Sequence, residues 1–201
     1  MHASIVSAIL AQFDAQFDAQ FVGWRTPLLT GIFGLPGSGK TAVTHWLAAR
    51  YPLIALSTDT MRLRYELPSG PATSDVMYKV AATLLPRRTG IIFDGIHMRQ
   101  SDRARLQAFA ASHSAHSALL YITADSGVID ERIATRQDNP EQTRAEGKFV
   151  ITRQHFERIA SWLEVPAGEE AVWQIDTTDD QIGKLLAGLT TWLGQYVETD
   201  S

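Results

Sequence analysis

A chain of 201 residues, 45% apolar and 20% charged, is long enough for one full-sized domain with a buried core and too ordinary in composition for a disordered or collagen-like protein. Its formal net charge of -4 argues against coating nucleic acid through bulk charge and confines any anion site to a local cluster. The lack of cysteine excludes disulfides, thiolate metal sites and cysteine nucleophiles. With no apolar run near the roughly 18 residues of a membrane helix and no basic N-terminal region of a secretory signal, the expectation is a soluble cytoplasmic protein without membrane contact.

The chain opens on a repeat, Ala11-Gln-Phe-Asp, Ala15-Gln-Phe-Asp and Ala19-Gln-Phe, which spaces Phe13, Phe17 and Phe21 four apart. With Ile5, Val6, Ile9 and Leu10 they form one apolar helical stripe. The expectation for residues 1–26 is a helical extension packed on the domain, with an oligomer or partner contact through the Phe stripe as the sharper alternative. Pro27 ends the extension, and Leu28 to Phe33 reads as a short buried strand. A Gly-rich loop follows, then a helix over Thr41 to Arg50.

The alternation continues with strands at Leu53 to Leu56, Gly90 to Phe93, Ala118 to Ile122 and Ala171 to Ile175. Between and after them the pattern predicts helices at Asp75 to Leu85, Ser101 to Ser112, Gly127 to Arg136, Val150 to Leu163 and Asp179 to Tyr196. Short apolar strands separated by helices mean a parallel sheet covered on both faces, an α/β fold of three layers and five strands. No linker divides residues 1–201, so one domain is expected; polar residues 137–148 read as a lid.

Gly34-Leu35-Pro36-Gly37-Ser38-Gly39-Lys40-Thr41 matches the phosphate-binding loop, and it stands between a predicted strand and a predicted helix, the context that motif requires. The glycines let consecutive backbone N–H groups turn inward around an anion, and the helix adds its positive N-terminal end. Lys40 can reach the β- and γ-phosphates, and the Thr41 hydroxyl can ligate Mg²⁺.

The polar residues around this loop suggest the reaction. Asp59 follows the second strand, where ligands of parallel sheets gather, and can take the proton of an acceptor hydroxyl that attacks the γ-phosphate; the bland alternative is an N-cap at Asp59. Arg62 lies one helical turn on and can hold a polar or anionic substrate group. Asp94 ends an apolar strand in Ile91-Ile92-Phe93-Asp94-Gly95, the position of a second acid that orients Mg²⁺ or its water. Arg132 and Arg136 share a helical face before the lid and can meet phosphoryl charge. His113 and His116 read as a solvated helix end rather than metal ligands.

These motifs resemble the small P-loop kinases of the adenylate-kinase-like fold, in the group that includes polynucleotide 5′-hydroxyl kinases, zeta-toxin-like kinases and chloramphenicol phosphotransferase. The resemblance covers about Leu28 to Thr178 and rests on GLPGSGKT, STDTMR, IIFDG with Arg103 beyond it, ERIATR and WQIDTT. It implies a strand order 2-3-1-4-5, Asp59 as base, Arg62 and Arg103 on substrate, Arg132 and Arg136 on the transferring phosphoryl group, and Thr177 and Thr178 beside adenine. The function it implies is an ATP- and Mg²⁺-dependent kinase acting on a hydroxyl of a small molecule or a nucleic-acid 5′ end. Two alternatives stand: a nucleotide-gated regulatory NTPase or interaction module, and a nucleoside monophosphate kinase, whose anionic acceptor needs arginines more than a base.

Overall fold

The computed structural model describes residues 2–17, 23–95, 97–168, 170–179 and 181–197. Five strands, β1 (Leu28–Phe33), β2 (Leu53–Ser57), β3 (Gly90–Asp94), β4 (His116–Thr123) and β5 (Trp173–Asp176), pair in the order β2-β3-β1-β4-β5. Every pairing is parallel, so all five carboxyl ends open on one edge of the sheet. The fold is the α/β sandwich expected, in the strand order the resemblance implies.

The helices are α1 (His2–Phe17), α2 (Lys40–Ala48), α3 (Thr58–Tyr65), α4 (Pro71–Leu84), α5 (Gln100–Ser112), α6 (Ser126–Asp138), α7 (Pro140–Ala145), α8 (Arg153–Ala160), α9 (Ile182–Leu185) and α10 (Ala187–Gly194). All six residues of β1 are buried, which is why its sequence is apolar but for Thr30: a central parallel strand has no wet face. Successive side chains leave a strand on opposite sides. Leu29, Phe33, Ile91, Phe93, Leu119 and Tyr121 therefore build one core with α1, α4 and α5, while Leu28, Ile32, Ile92, Leu120 and Ile122 build the other with Val43 and Leu47 of α2 and with Leu189 and Leu193 of α10.

Helix α1 packs on the domain. Ile9 is 2% exposed, and Ile5, Val6, Leu10 and Phe13 lie against the same core. The side chain of Phe17 and all of Phe21 fall outside the described residues.

Several boundaries differ from the sequence pattern for physical reasons. The helix expected over Val150 to Leu163 begins only at Arg153, because Thr152 is extended and its hydroxyl accepts from the His155 N–H as the N-cap; Ile151, ahead of the cap, is buried. The C-terminal helix is two pieces, with Gly183 and Gly188 weakening helix on either side of the break. Helix α5 stops at Ser112, Ser114 turns left-handed (φ 53°), and His116 starts β4, so the two histidines do not share a helix end. Residues 140–145 of the expected lid form α7, started by Pro140 in the first turn, where proline is favoured.

Candidate active site

Strands β2, β3 and β1 are neighbours, and their carboxyl ends deliver the two acidic segments and the Gly-rich loop side by side. In the register Ser57 pairs with Asp94 and Asp94 pairs with Ile32. The residue after Ser57 begins α3, and the residue after Phe33 begins the Gly-rich loop. The Thr58 hydroxyl donates to the Asp94 carbonyl at 3.3 Å, tying the start of α3 to the end of β3.

The loop has the conformation its glycines permit. Gly34 (φ +145°) would place a Cβ 2.1 Å from the Ile122 carbonyl oxygen, and Gly39 (φ +92°) would place one 2.6 Å from Thr177 Oγ1. Lys40 Nζ donates to the carbonyls of Gly34 and Leu35, both at 2.8 Å, so its ammonium lies curled over the loop. Burial pulls its pKa below the ordinary value while Asp94 and Asp59 oppose that shift. Ser38 Oγ is buried and has no hydrogen-bond partner among the described residues, an orphaned donor in the wall of the cradle that an anion's oxygen would satisfy.

Both acids sit where water is scarce. Asp94 is 5% exposed, and burial raises its pKa to about 6 against the pull of Lys40, with Asp59 adding a like charge. Burial also raises the pKa of Asp59, opposed by Lys40, Arg62, Arg136 and His155. Asp59 is not the N-cap of its helix. Ser57 takes that role, accepting from the Thr60 N–H, which leaves the Asp59 carboxyl available in the first turn.

The arginines divide. Arg62 lies over the Phe149 ring, 4.3 Å from its centre, and its Nε is buried without a partner among the described residues. Arg136 is an electrostatic neighbour of Asp59 and of Lys40. Arg132 donates from Nη1 to the Gly37 carbonyl and to Thr177 Oγ1, both at 3.1 Å, and from Nη2 to the Thr177 carbonyl at 2.9 Å. Thr177 Oγ1 in turn donates to the Ser38 carbonyl at 2.7 Å. Arg132 thus clips the loop after β5 onto the Gly-rich loop instead of pointing its charge at the acids.

Arg103, assigned to substrate by the resemblance, is elsewhere. It is 1% exposed, bonded through Nε and Nη2 to the Glu170 carboxylate and through Nη1 to the carbonyls of His97 and Met98. Its guanidinium covers the Phe33 ring, and with its donors taken in the interior it serves packing, not the cradle.

The tertiary structure adds residues that no motif marked. Phe149 reaches Arg62 from the segment between α7 and α8. His155, in the first turn of α8, faces Asp59, Arg62 and Arg158, with burial and the two arginines lowering its pKa. Gly147 lies against Thr60, with an added Cβ 3.4 Å from its hydroxyl, so the chain between α7 and α8 closes over α3.

A family model described as an AAA domain matches residues 29–166. No curated protein matches the sequence. Kti12 from Chaetomium thermophilum, solved in complex with ADP-AlF3, is similar at 18% identity and a TM-score of 0.64, over 85% of this chain and 100% of that one. A gluconokinase from Sinorhizobium meliloti is similar at 18% identity and 0.57, over 85% and 96% of the two chains. The Mycobacterium tuberculosis APS kinase CysC, solved with AMPPNP and APS, is similar at 16% identity and 0.56, over 82% and 98%. At these identities the likeness is one of fold.

Proposed function

The chain belongs to the AAA domain family, and from that premise we propose that it is a kinase that moves the γ-phosphate of ATP to a hydroxyl of an acceptor, a small molecule or a nucleic-acid 5′ end. One observation carries this reading. Asp59, a half-buried carboxyl in the first turn of α3 with no capping duty, shares a charge cluster with Lys40, Arg136 and the buried Asp94. A nucleotide switch needs the loop and Asp94 but has no use for a poised base beside them.

The Gly-rich loop and Lys40 would hold the triphosphate, and the loop around Thr177 would border the base. The Thr41 hydroxyl and the Asp94 carboxylate are oxygen donors that suit Mg²⁺, which typically takes one or two carboxylates together with substrate phosphates. When bound, that ion would neutralise charge on the phosphate oxygens. Asp59 takes the acceptor's proton as the acceptor oxygen bonds to the γ-phosphorus. The bond from that phosphorus to the bridging oxygen breaks, and ADP carries the electron pair away. The raised pKa of Asp59 makes it a stronger base than an exposed carboxylate. Arg136 and Lys40 take up the negative charge of the moving group, and Arg132 acts at one remove by fixing the two loops. Among the described residues no helix is long and apolar enough to cross a membrane; a cytoplasmic location is part of the proposal.

The test is ATP consumption with Mg²⁺ across a panel of hydroxyl acceptors, comparing the wild type with Asp59→Asn. Acceptor-dependent turnover should fall about a hundredfold or more, the scale of a lost general base, with nucleotide affinity unchanged. Tight nucleotide binding with no acceptor-dependent turnover would overturn the kinase reading in favour of a nucleotide-gated interaction module.

A further inference from the structure

Helix α3 carries both Asp59 and Arg62, yet little in its own sequence holds it in place. It spans eight residues, Thr58–Tyr65, and Met61 is its one buried residue. An isolated helix shorter than about 12 residues is marginal in water. The N-cap contact from Ser57 is long, 3.5 Å, and the chain leaves through Glu66 in the left-handed region (φ 54°), which a side chain adopts reluctantly. The far end of α3 therefore depends on tertiary contacts.

Helix α3 packs on α4 and β2, and its last residue has one further hold, from the N-terminal repeat. Tyr65, the last residue of α3, packs against the core that α1 also enters, and its hydroxyl accepts an N–H from Gln12 Nε2 at 2.6 Å. The same Gln12 nitrogen donates to the Ala8 carbonyl at 3.2 Å, so its amide is pinned in orientation. Neighbouring helical residues project about 100° apart, and the first copy of the repeat uses that fan. Gln12 reaches α3, Phe13 packs against the core between, and Asp14 pairs with Arg87 in the 3₁₀ turn that follows α4. Each polar or aromatic residue of one Ala-Gln-Phe-Asp unit meets a different surface. All of α1 precedes the residues that the family model matches.

We propose that α1 is a strut for α3 and that Gln12 is a positioning residue, its bond to Tyr65 setting the pose of the acceptor-facing side of the site. The proposal rests on the kinase reading above. Its signature follows from leverage. With 1.5 Å of rise per residue and the Ser57 cap as pivot, Asp59 lies about 3 Å, Arg62 about 7.5 Å and Tyr65 about 12 Å along the helix. A slip at Tyr65 is transmitted mostly to Arg62 and only weakly to Asp59. Loss of the strut should therefore weaken acceptor binding more than it slows the chemical step.

The experiment is steady-state kinetics on the full chain, using an acceptor found in the panel. Gln12→Ala and Tyr65→Phe should each raise acceptor KM about threefold to tenfold, the range a lost neutral hydrogen bond spans, with a smaller change in kcat and an unaltered nucleotide Kd. The double variant should be no worse than either single one, because both remove the same contact. Asp14→Ala, which leaves the Gln12–Tyr65 bond intact, should keep KM at the wild-type value. A variant that merely lost folded protein would lower kcat at constant KM, and that pattern, or an unchanged KM, overturns the proposal. A wild type inactive on every acceptor instead overturns the kinase reading. In that case amide hydrogen exchange decides the strut: Gln12→Ala should speed exchange in residues 58–65 but not in α4, and unchanged exchange in α3 overturns it.

Discussion

Asp94 and Arg103 are both buried ionisable residues, and their partners give them opposite consequences. Burial raises the Asp94 pKa from 3.8 to about 6, so the folded state holds the proton more tightly than the unfolded one. The contribution of this group to stability is complete below pH 3.8 and is lost as pH rises through 6, about 3 kcal/mol across that window. In nucleotide- and metal-free buffer the wild type should therefore lose stability relative to Asp94→Asn as pH rises from 4 to 8, read from urea midpoints at each pH. A gap between the two that does not change with pH would contradict the buried setting of Asp94. Arg103 is buried as a charge but paired with Glu170, and removing one member leaves the other exposed to the full cost of desolvation. Arg103→Met should cost about 3–5 kcal/mol in urea unfolding while the folded fraction keeps its nucleotide affinity. A loss of nucleotide affinity with stability intact would return Arg103 to the site.

At the scale of elements, the Gly-rich loop is gripped from the far side of the sheet as well as shaped by its own glycines. A methyl group on Gly39 would meet Thr177 Oγ1 at 2.6 Å in a backbone conformation (φ +92°) that side chains rarely adopt. Gly39→Ala should therefore push the Thr177 loop off the cradle and lose nucleotide affinity about tenfold or more, on the basis that strain of this kind costs on the order of 1–3 kcal/mol. Arg132→Ala removes the clip between the same two loops and should likewise weaken nucleotide binding. Equilibrium titration with a fluorescent nucleotide checks both, and an Arg132→Ala variant with wild-type affinity but depressed turnover would assign its charge to the moving phosphoryl group.

Across the whole molecule, nucleotide would join parts of the chain that are distant in sequence, because the cradle touches β1, β4 by way of Ile122, and the loop after β5. A ligand that binds only the folded chain at a hundred times its Kd adds about 2.7 kcal/mol. Saturating ATP with Mg²⁺ should raise the thermal midpoint of the wild type and leave that of Lys40→Ala almost unchanged. An equal rise in both would show that binding does not run through the loop.

How much of this was legible beforehand follows from the range of each interaction. Strand β1 was readable to the residue, since a strand buried on both faces is mostly apolar and this one is bounded by turn residues, and the Gly-rich loop was readable because its pattern is local to eight consecutive residues. Asp59 and Asp94 were readable from their place after strands. The division between Arg132, which holds the two loops, and Arg136, which neighbours Asp59 and Lys40, was not, because helical spacing says which residues share a face but not what lies opposite it. Arg103 was misplaced for the same reason: its partner Glu170 is 67 residues away. The repeat announced an apolar helix, yet only the packed structure shows that its glutamine, phenylalanine and aspartate meet three different surfaces. Sequence by itself determined the α/β class, the Gly-rich loop between β1 and α2 and the acids at the strand ends beside it, all of which follow from backbone conformation and nearest neighbours. The tertiary structure decided which charges face the cradle and which are consumed holding it, because that depends on contacts between segments whose separation along the chain carries no pattern.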